Sequence, residues 1–270
     1  MDLKNYALKA LAIVLMAFIG GCDMIEYHPY DLNINGETGI NGKNIELIEK
    51  KTEGKDELKI VVISDTQRWY DETRKGVNYI NQLKDVDFVV HAGDLSDFGL
   101  KKEFELQRDI LNKLNVPYIV TLGNHDCLGT GIYVFEEMFG PYNYSFRAGS
   151  TLFICVNTNA LEFDHTVGVP DFDFLRKELD NVTPDIKKTV VIMHAGPFSD
   201  QFNKEVDIFH EYIKHFPNLQ FCIYGHGHHV SVDDFFKDGI YYYECACAEK
   251  RQLLQFKIKV DGYDYEVLDF

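Results

Sequence analysis

The chain holds 270 residues, 46% of them hydrophobic and 14% aromatic, which excludes a disordered or low-complexity protein and is long enough to bury a large core without staples. Acidic residues number 43 against 27 basic ones, for a formal charge of −16. No stretch concentrates Lys and Arg, so the footprint that grips a nucleic-acid backbone is missing and nucleic acid is not an expected partner; other anionic substrates stay open to a site where bound metal supplies positive charge locally.

The N-terminus carries Lys4 and Lys9, followed by an unbroken apolar run over residues 10–19. Such a run is too short to span a bilayer, which takes about 20 residues, but it suits the hydrophobic region of a secretory signal. Ile19-Gly20-Gly21-Cys22 follows and resembles a bacterial lipobox. Residues 1–21 are therefore expected to be a lipoprotein signal peptide, with Cys22 lipidated and the chain held at a membrane in the bacterial cell envelope, outside the cytoplasmic membrane. Residues 22–57 are polar and Gly/Asn-rich, with one short amphipathic stretch at 44–51, and read as a loosely packed tether or extension.

Residues 58–270 read as the main domain. Apolar, β-branched runs at 58–64, 86–91, 117–122, 188–193 and 219–224 predict buried strands. Helical stripes lie between several of them: Val77, Ile80 and Leu83; Phe104, Leu111 and Leu114; Phe202, Val206, Phe209 and Ile213. A further helix is expected over 173–179, after Pro170. This alternation predicts parallel pairing with helices outside. Segments 142–146 and 151–156 predict a hairpin, and 240–243, 253–260 and 263–268 read as antiparallel strands. The expected fold is α/β, two sheets with helices on both outer faces. Five cysteines follow Cys22, namely Cys127, Cys155, Cys222, Cys245 and Cys247; the odd count and the spacings argue against a disulfide framework.

Each of the five buried strands ends in metal-type side chains. The endings are Ser64-Asp65-Thr66-Gln67, Gly93-Asp94-Leu95-Ser96-Asp97, Gly123-Asn124-His125-Asp126, Met193-His194 and Gly225-His226-Gly227-His228. Ligands of open α/β sheets bind beyond the carboxyl ends of the strands, so this order gathers Asp, Asn and His side chains in one place. Packing alone does not produce five such endings.

The pattern resembles the calcineurin-like metallophosphoesterases, whose motifs run Asp-x-His, Gly-Asp-x-x-Asp, Gly-Asn-His-Asp/Glu, a separate His, and Gly-His-x-His. The resemblance covers residues 65–228 and implies a four-layer α/β/β/α sandwich of two mixed sheets. It also implies two divalent metal ions, with Asp94 bridging them, Asp65 and His228 on the first, and Asn124, His194 and His226 on the second. Mn, Fe, Zn or Mg suits this oxygen-and-imidazole donor set. Paired ions lower the pKa of a shared water to a bridging hydroxide and clamp the phosphoryl oxygens of an in-line displacement. His125 takes the role of general acid and Asp97 that of its orienter; Asp97 can also cap the helix that follows. The family's first motif has His where this chain has Gln67, which either ligates weakly through its carbonyl oxygen or only hydrogen-bonds a bound water.

The expected function is a di-metal-dependent phosphoric ester hydrolase, a phosphomonoesterase or phosphodiesterase, acting on a small phosphorylated metabolite, nucleotide or lipid headgroup. The alternative, motivated by Gln67, is a catalytically weak metal- or phosphate-binding surface lipoprotein on the same fold. A protein phosphatase ranks lower, because Phe98-Gly99 follows Asp97 where those enzymes carry Arg-Gly. Arg68 and Trp69 leave the first strand beside the site and are candidate substrate-binding residues. His165 reads as a solvated loop histidine, His229 as a neighbour of the ligands or exposed, and His91, His210 and His215 as structural.

Overall fold

Near-continuous apolar strands stay buried only in sheets covered on both faces, and the chain builds two of them. In the computed structural model, which describes residues 28, 31–163, 167–202 and 205–270, the first sheet has β1 (Leu58–Ile63), β2 (Phe88–His91) and β3 (Tyr118–Val120) in parallel, extended by the antiparallel hairpin of β10 (Gln252–Ile258) and β11 (Tyr263–Asp269), in the order β11-β10-β1-β2-β3. The second runs β4-β5-β6-β7-β9-β8. Its parallel centre is β5 (Thr151–Cys155), β6 (Lys188–Ile192), β7 (Leu219–Tyr224) and β9 (Tyr241–Glu244), with β4 (Tyr144–Ala148) and β8 (Ser231–Asp233) as antiparallel edges. The signal segment, Cys22 and His165 lie outside the described residues.

Alternation along each strand separates the layers. Ile60, Val62, Phe88, Phe153, Phe221 and Phe256 meet between the sheets. The opposite faces, including Val61 and Val89 on one sheet and Val191 and Cys222 on the other, pack outward onto helices. Over the first sheet lie α2 (Tyr70–Ile80), α3 (Lys101–Leu111) and α4 (Gly131–Met138); over the second lie α5 (Phe172–Asp180) and α6 (Val206–Ile213). This is the expected four-layer sandwich of two mixed sheets.

Two local expectations need correction. Part of the expected tether is the helix α1 (Ile40–Thr52), docked against the rest of the fold. Its Asn41 amide pairs with both backbone groups of Val120 at 2.9 Å, and Asn44 Nδ2 donates to Tyr118 O at 2.7 Å. These side chains close the open edge of β3, which an unpaired strand must otherwise leave to solvent or to another chain. Ile48 is fully buried in the layer between the sheets, as a loose tether would not be. The strand at 240–243 does not join the C-terminal hairpin: it is β9, parallel to β7 in the other sheet. Its partner β8 spans only three residues, too few to show a period.

His210 is structural, as expected. It bonds Tyr242 OH at 2.8 Å and Asp238 Oδ2 at 2.9 Å and stacks on Phe236. The five cysteines are free and buried. Cys127 donates its thiol to Gly123 O, and burial pushes the thiol's pKa well up, which makes it a packing residue.

Candidate metal centre

The loops after β1, β2, β3, β6 and β7 converge at one end of the sandwich. Their turns are tight: Asp65, Gln67, Asp94, His226 and His228 all hold positive φ, between 34° and 76°, a region that costs a non-glycine residue about 1–3 kcal/mol. Gly123 is required by close approach, since a Cβ there would lie 2.1 Å from Asp94 N and Oδ1.

Asp65, Asp94 and His194 are buried, and each offers a ligand atom within 4.8 Å of the others. The ion-pair partners of the two acids are histidines: His194 Nε2 lies 3.4 Å from Asp94 Oδ1, and His228 Nε2 lies 3.4 Å from Asp65 Oδ1. Asp65 Oδ1 has no hydrogen-bond donor, while Oδ2 accepts His226 N–H at 3.1 Å. His194 Nδ1–H donates to Ala92 O at 2.8 Å, which fixes the tautomer and leaves the Nε2 lone pair facing inward. That lone pair is 3.0 Å from Asn124 Oδ1, which His226 Nδ1 also approaches at 3.0 Å. Carboxylate, amide and imidazole acceptors turned on one point repel one another unless a cation or a proton sits among them. Burial favours neutral His194, yet Asp94 and Asp65 hold its pKa up at about 10, so the two carboxylates favour positive charge at this point. The nearby Asp65 carboxylate similarly raises His228, whereas burial lowers His226. The residues present fit a divalent metal.

Gln67 is in the site and buried; its Nε2 donates to Asp94 Oδ2 at 3.1 Å, and Gln107 Nε2 holds its backbone carbonyl at 2.7 Å. It thus steadies a carboxylate of the cluster, a role neither reading of the sequence included. His125 N–H donates to Asp94 Oδ1 at 2.9 Å, and its Nδ1–H to the backbone carbonyl of Asp97 at 2.8 Å, leaving Nε2 as the nitrogen that can present a proton outward.

Asp97 departs from the role expected of it. Its carboxylate is turned to Arg68, with Oδ1 at 2.7 Å from NH2, so only its backbone carbonyl orients His125. Arg68 is accordingly anchored beside His125 and remains largely exposed. Trp69 is half-buried, and its carbonyl accepts the Thr73 N–H and hydroxyl at the start of α2. His91 is buried, bonded to Thr66 Oγ1 at 2.9 Å, and burial lowers its pKa to about 4.

Two acids have roles here that the sequence did not assign them. Asp126 is fully buried and accepts from Leu95 N, Ser96 N, Ser96 Oγ and Gly123 N, tying the Asp94 loop to the Asn124 loop. Burial and the nearby Asp94 raise its pKa to about 7. Glu244 sits under the His226 loop at the end of β9; an acid closing the apolar run of tyrosines at 241–243 was the available signal.

A family model described as calcineurin-like phosphoesterase matches residues 58–230. A 3′,5′-cyclic-nucleotide phosphodiesterase of Nostoc sp. is 24% identical over 153 residues, 53% of this chain and 56% of that protein. A probable glycerophosphodiester phosphodiesterase of Arcobacter nitrofigilis is 41% identical over 49 residues, 18% of each. A solved purple acid phosphatase from yellow lupin (Lupinus luteus) seeds shares the fold, with TM-score 0.61 and 16% identity over 80% of this chain and 52% of its own. The chain thus spans about half the length, or less, of these proteins.

Proposed function

The chain belongs to the calcineurin-like phosphoesterase family, and on that premise we propose that it is a metal-dependent phosphoric ester hydrolase that favours small phosphodiesters. The observation that carries this reading is the convergence of Asp65, Asp94, Asn124, His194 and His226 acceptors on one point, with a buried carboxylate oxygen of Asp65 left without a donor. Both curated relatives are named as phosphodiesterases, which supports the diester class. The charge of −16 disfavours polyanions.

Asp94 would lie between two divalent ions, with Asp65 and His228 on one and Asn124, His194 and His226 on the other; Gln67 holds Asp94 in place. Bound ions supply Lewis acidity toward water and a phosphoryl oxygen. His125 Nε2 protonates the departing alcohol, while the Asp97 carbonyl keeps Nδ1–H occupied and the ring aimed. Arg68, tethered by the Asp97 carboxylate, offers its remaining guanidinium donors to the ester. The lipobox reading places this chemistry at a membrane through Cys22, in the envelope.

A second reading, a surface protein that binds metal or phosphate without turnover, gains support from two departures: Gln67 in the first motif and the diversion of the Asp97 carboxylate to Arg68. Hydrolysis of one aryl phosphate diester and one monoester, under Mn, Fe, Zn and Mg in turn, separates the readings. Metal-dependent turnover that collapses in Asp94→Ala and His125→Ala supports the enzyme; metal binding without turnover in a folded chain supports the binder.

A further inference from the structure

We propose that Glu244 is a positioning residue for the loop that carries His226 and His228, acting through Gly227 and His229. This rests on the reading of those two histidines as metal-holding.

Glu244 ends β9 and pairs in register with Tyr224 on β7 and Ser231 on β8, the residues that bracket the loop. The side chain is buried, where a carboxyl is costly unless it is paired or hydrogen-bonded, and its Oε1 has no hydrogen-bond partner. One oxygen, Oε1, lies against Gly227, so closely that a Cβ there would be 1.9 Å away. The other, Oε2, accepts the Ser231 hydroxyl at 3.1 Å and lies 3.4 Å from His229 Nε2. His229 turns back on the loop, its Nδ1–H donating to Gly227 O at 2.8 Å. The carboxyl therefore meets the loop from below at Gly227 and from the side at His229. Both flanking residues, His226 and His228, hold strained positive φ, so their side chains face the site only while something fixes the turn. Glu244 supplies that fixture without touching either ligand.

Gln in place of Glu244 keeps the volume and an acceptor oxygen facing Ser231 and His229. Ala keeps neither. The test measures Mn²⁺ binding to the full chain by competition with a chromophoric chelator, with the Mn²⁺ electron-paramagnetic-resonance spectrum as a second readout. Glu244→Ala and His229→Ala are each expected to weaken Mn²⁺ binding about 10-fold and to alter the spectrum, the double variant no more than either single one, and Glu244→Gln to stay near wild type. His229 is largely exposed, so its variant should keep the melting temperature of the metal-free chain, which a merely structural role would move. Wild-type Mn²⁺ affinity in His229→Ala, or additive losses in the double variant, would overturn the proposal whether or not Glu244→Ala folds. A wild-type chain that binds no Mn²⁺ overturns the metal reading itself.

Discussion

Replacing Asp126 with Ala removes an acceptor shared by two site loops. Its carboxylate takes three backbone N–H groups, from Leu95 at 3.3 Å, Ser96 at 2.8 Å and Gly123 at 3.0 Å, together with the Ser96 hydroxyl at 2.9 Å. All lie where water has no access, so the variant strands three buried donors. At roughly 1 kcal/mol for each, the low end of the cost of an unsatisfied buried group, the loss is about 3 kcal/mol. For a chain of this size that corresponds to a melting temperature lower by about 6–12 °C, read by calorimetry on the metal-free chain. Asp126→Asn keeps one acceptor oxygen and turns an amide against the remaining donors, so it should fall between. Because the carboxylate joins the loop of Asp94 to that of Asn124, Mn²⁺ binding should weaken in the same order. A shift below about 2 °C in Asp126→Ala would show that the loops do not depend on this acid and would refute the reasoning.

Ile48→Ala tests the docking of α1: a fully buried Ile costs about 2–5 kcal/mol on truncation, read from urea unfolding, whereas a loose tether predicts no change. Asp97→Asn weakens the hold on Arg68 but leaves the backbone carbonyl on His125. Diester hydrolysis should show a raised KM with kcat nearly kept; a kcat loss as large as that of His125→Ala would mean that the carboxylate orients the acid after all. Asp238 gives a pH signature. Burial works against its charge, but the His210 and Lys214 bonds bring its pKa down to about 2 from an ordinary 3.8. A depressed carboxyl stabilises the fold above its unfolded pKa and loses that contribution as pH falls toward the folded one. The melting-temperature gap between wild type and Asp238→Asn should therefore close from pH 4 to pH 2, and a gap constant over that window speaks against the bond.

The candidate metal cluster was legible because each candidate ligand sits at the end of its own strand. Asp65, Asp94, Asn124, His194 and His226 follow β1, β2, β3, β6 and β7 within a few residues, so local pattern sufficed once the strands were parallel. What stayed hidden depends on where the chain goes next. Whether Asp97 meets His125 with its carboxylate or its carbonyl is set by the path between β2 and α3, and the carboxylate finds Arg68. The docking of α1 follows from β3 being a sheet edge, a fact of strand order that no residue in 40–52 announces. Glu244 escaped because 240–243 reads in sequence as one of the C-terminal antiparallel strands, whereas it pairs parallel to β7 and ends beside the His226 loop.

The candidate site draws its oxygen and its nitrogen groups from different sheets. Asp65, Asp94 and Asn124 come from loops of the first; His194, His226 and His228 come from loops of the second. Hydrogen bonds cross between them at the site itself: His194 Nδ1–H to Ala92 O, and His226 N–H to Asp65 Oδ2. The strained turns at Asp65, Asp94, His226 and His228 are thus held from both sides, which is how backbone strain of this kind persists. The geometry of the donors then depends on the packing between the sheets as much as on the loops. Phe88, Phe153, Phe221 and Phe256 fix the sheet separation from within the core. Truncating one of them should disturb metal binding without touching any ligand, since a close-packed interior passes strain along its strands to their ends.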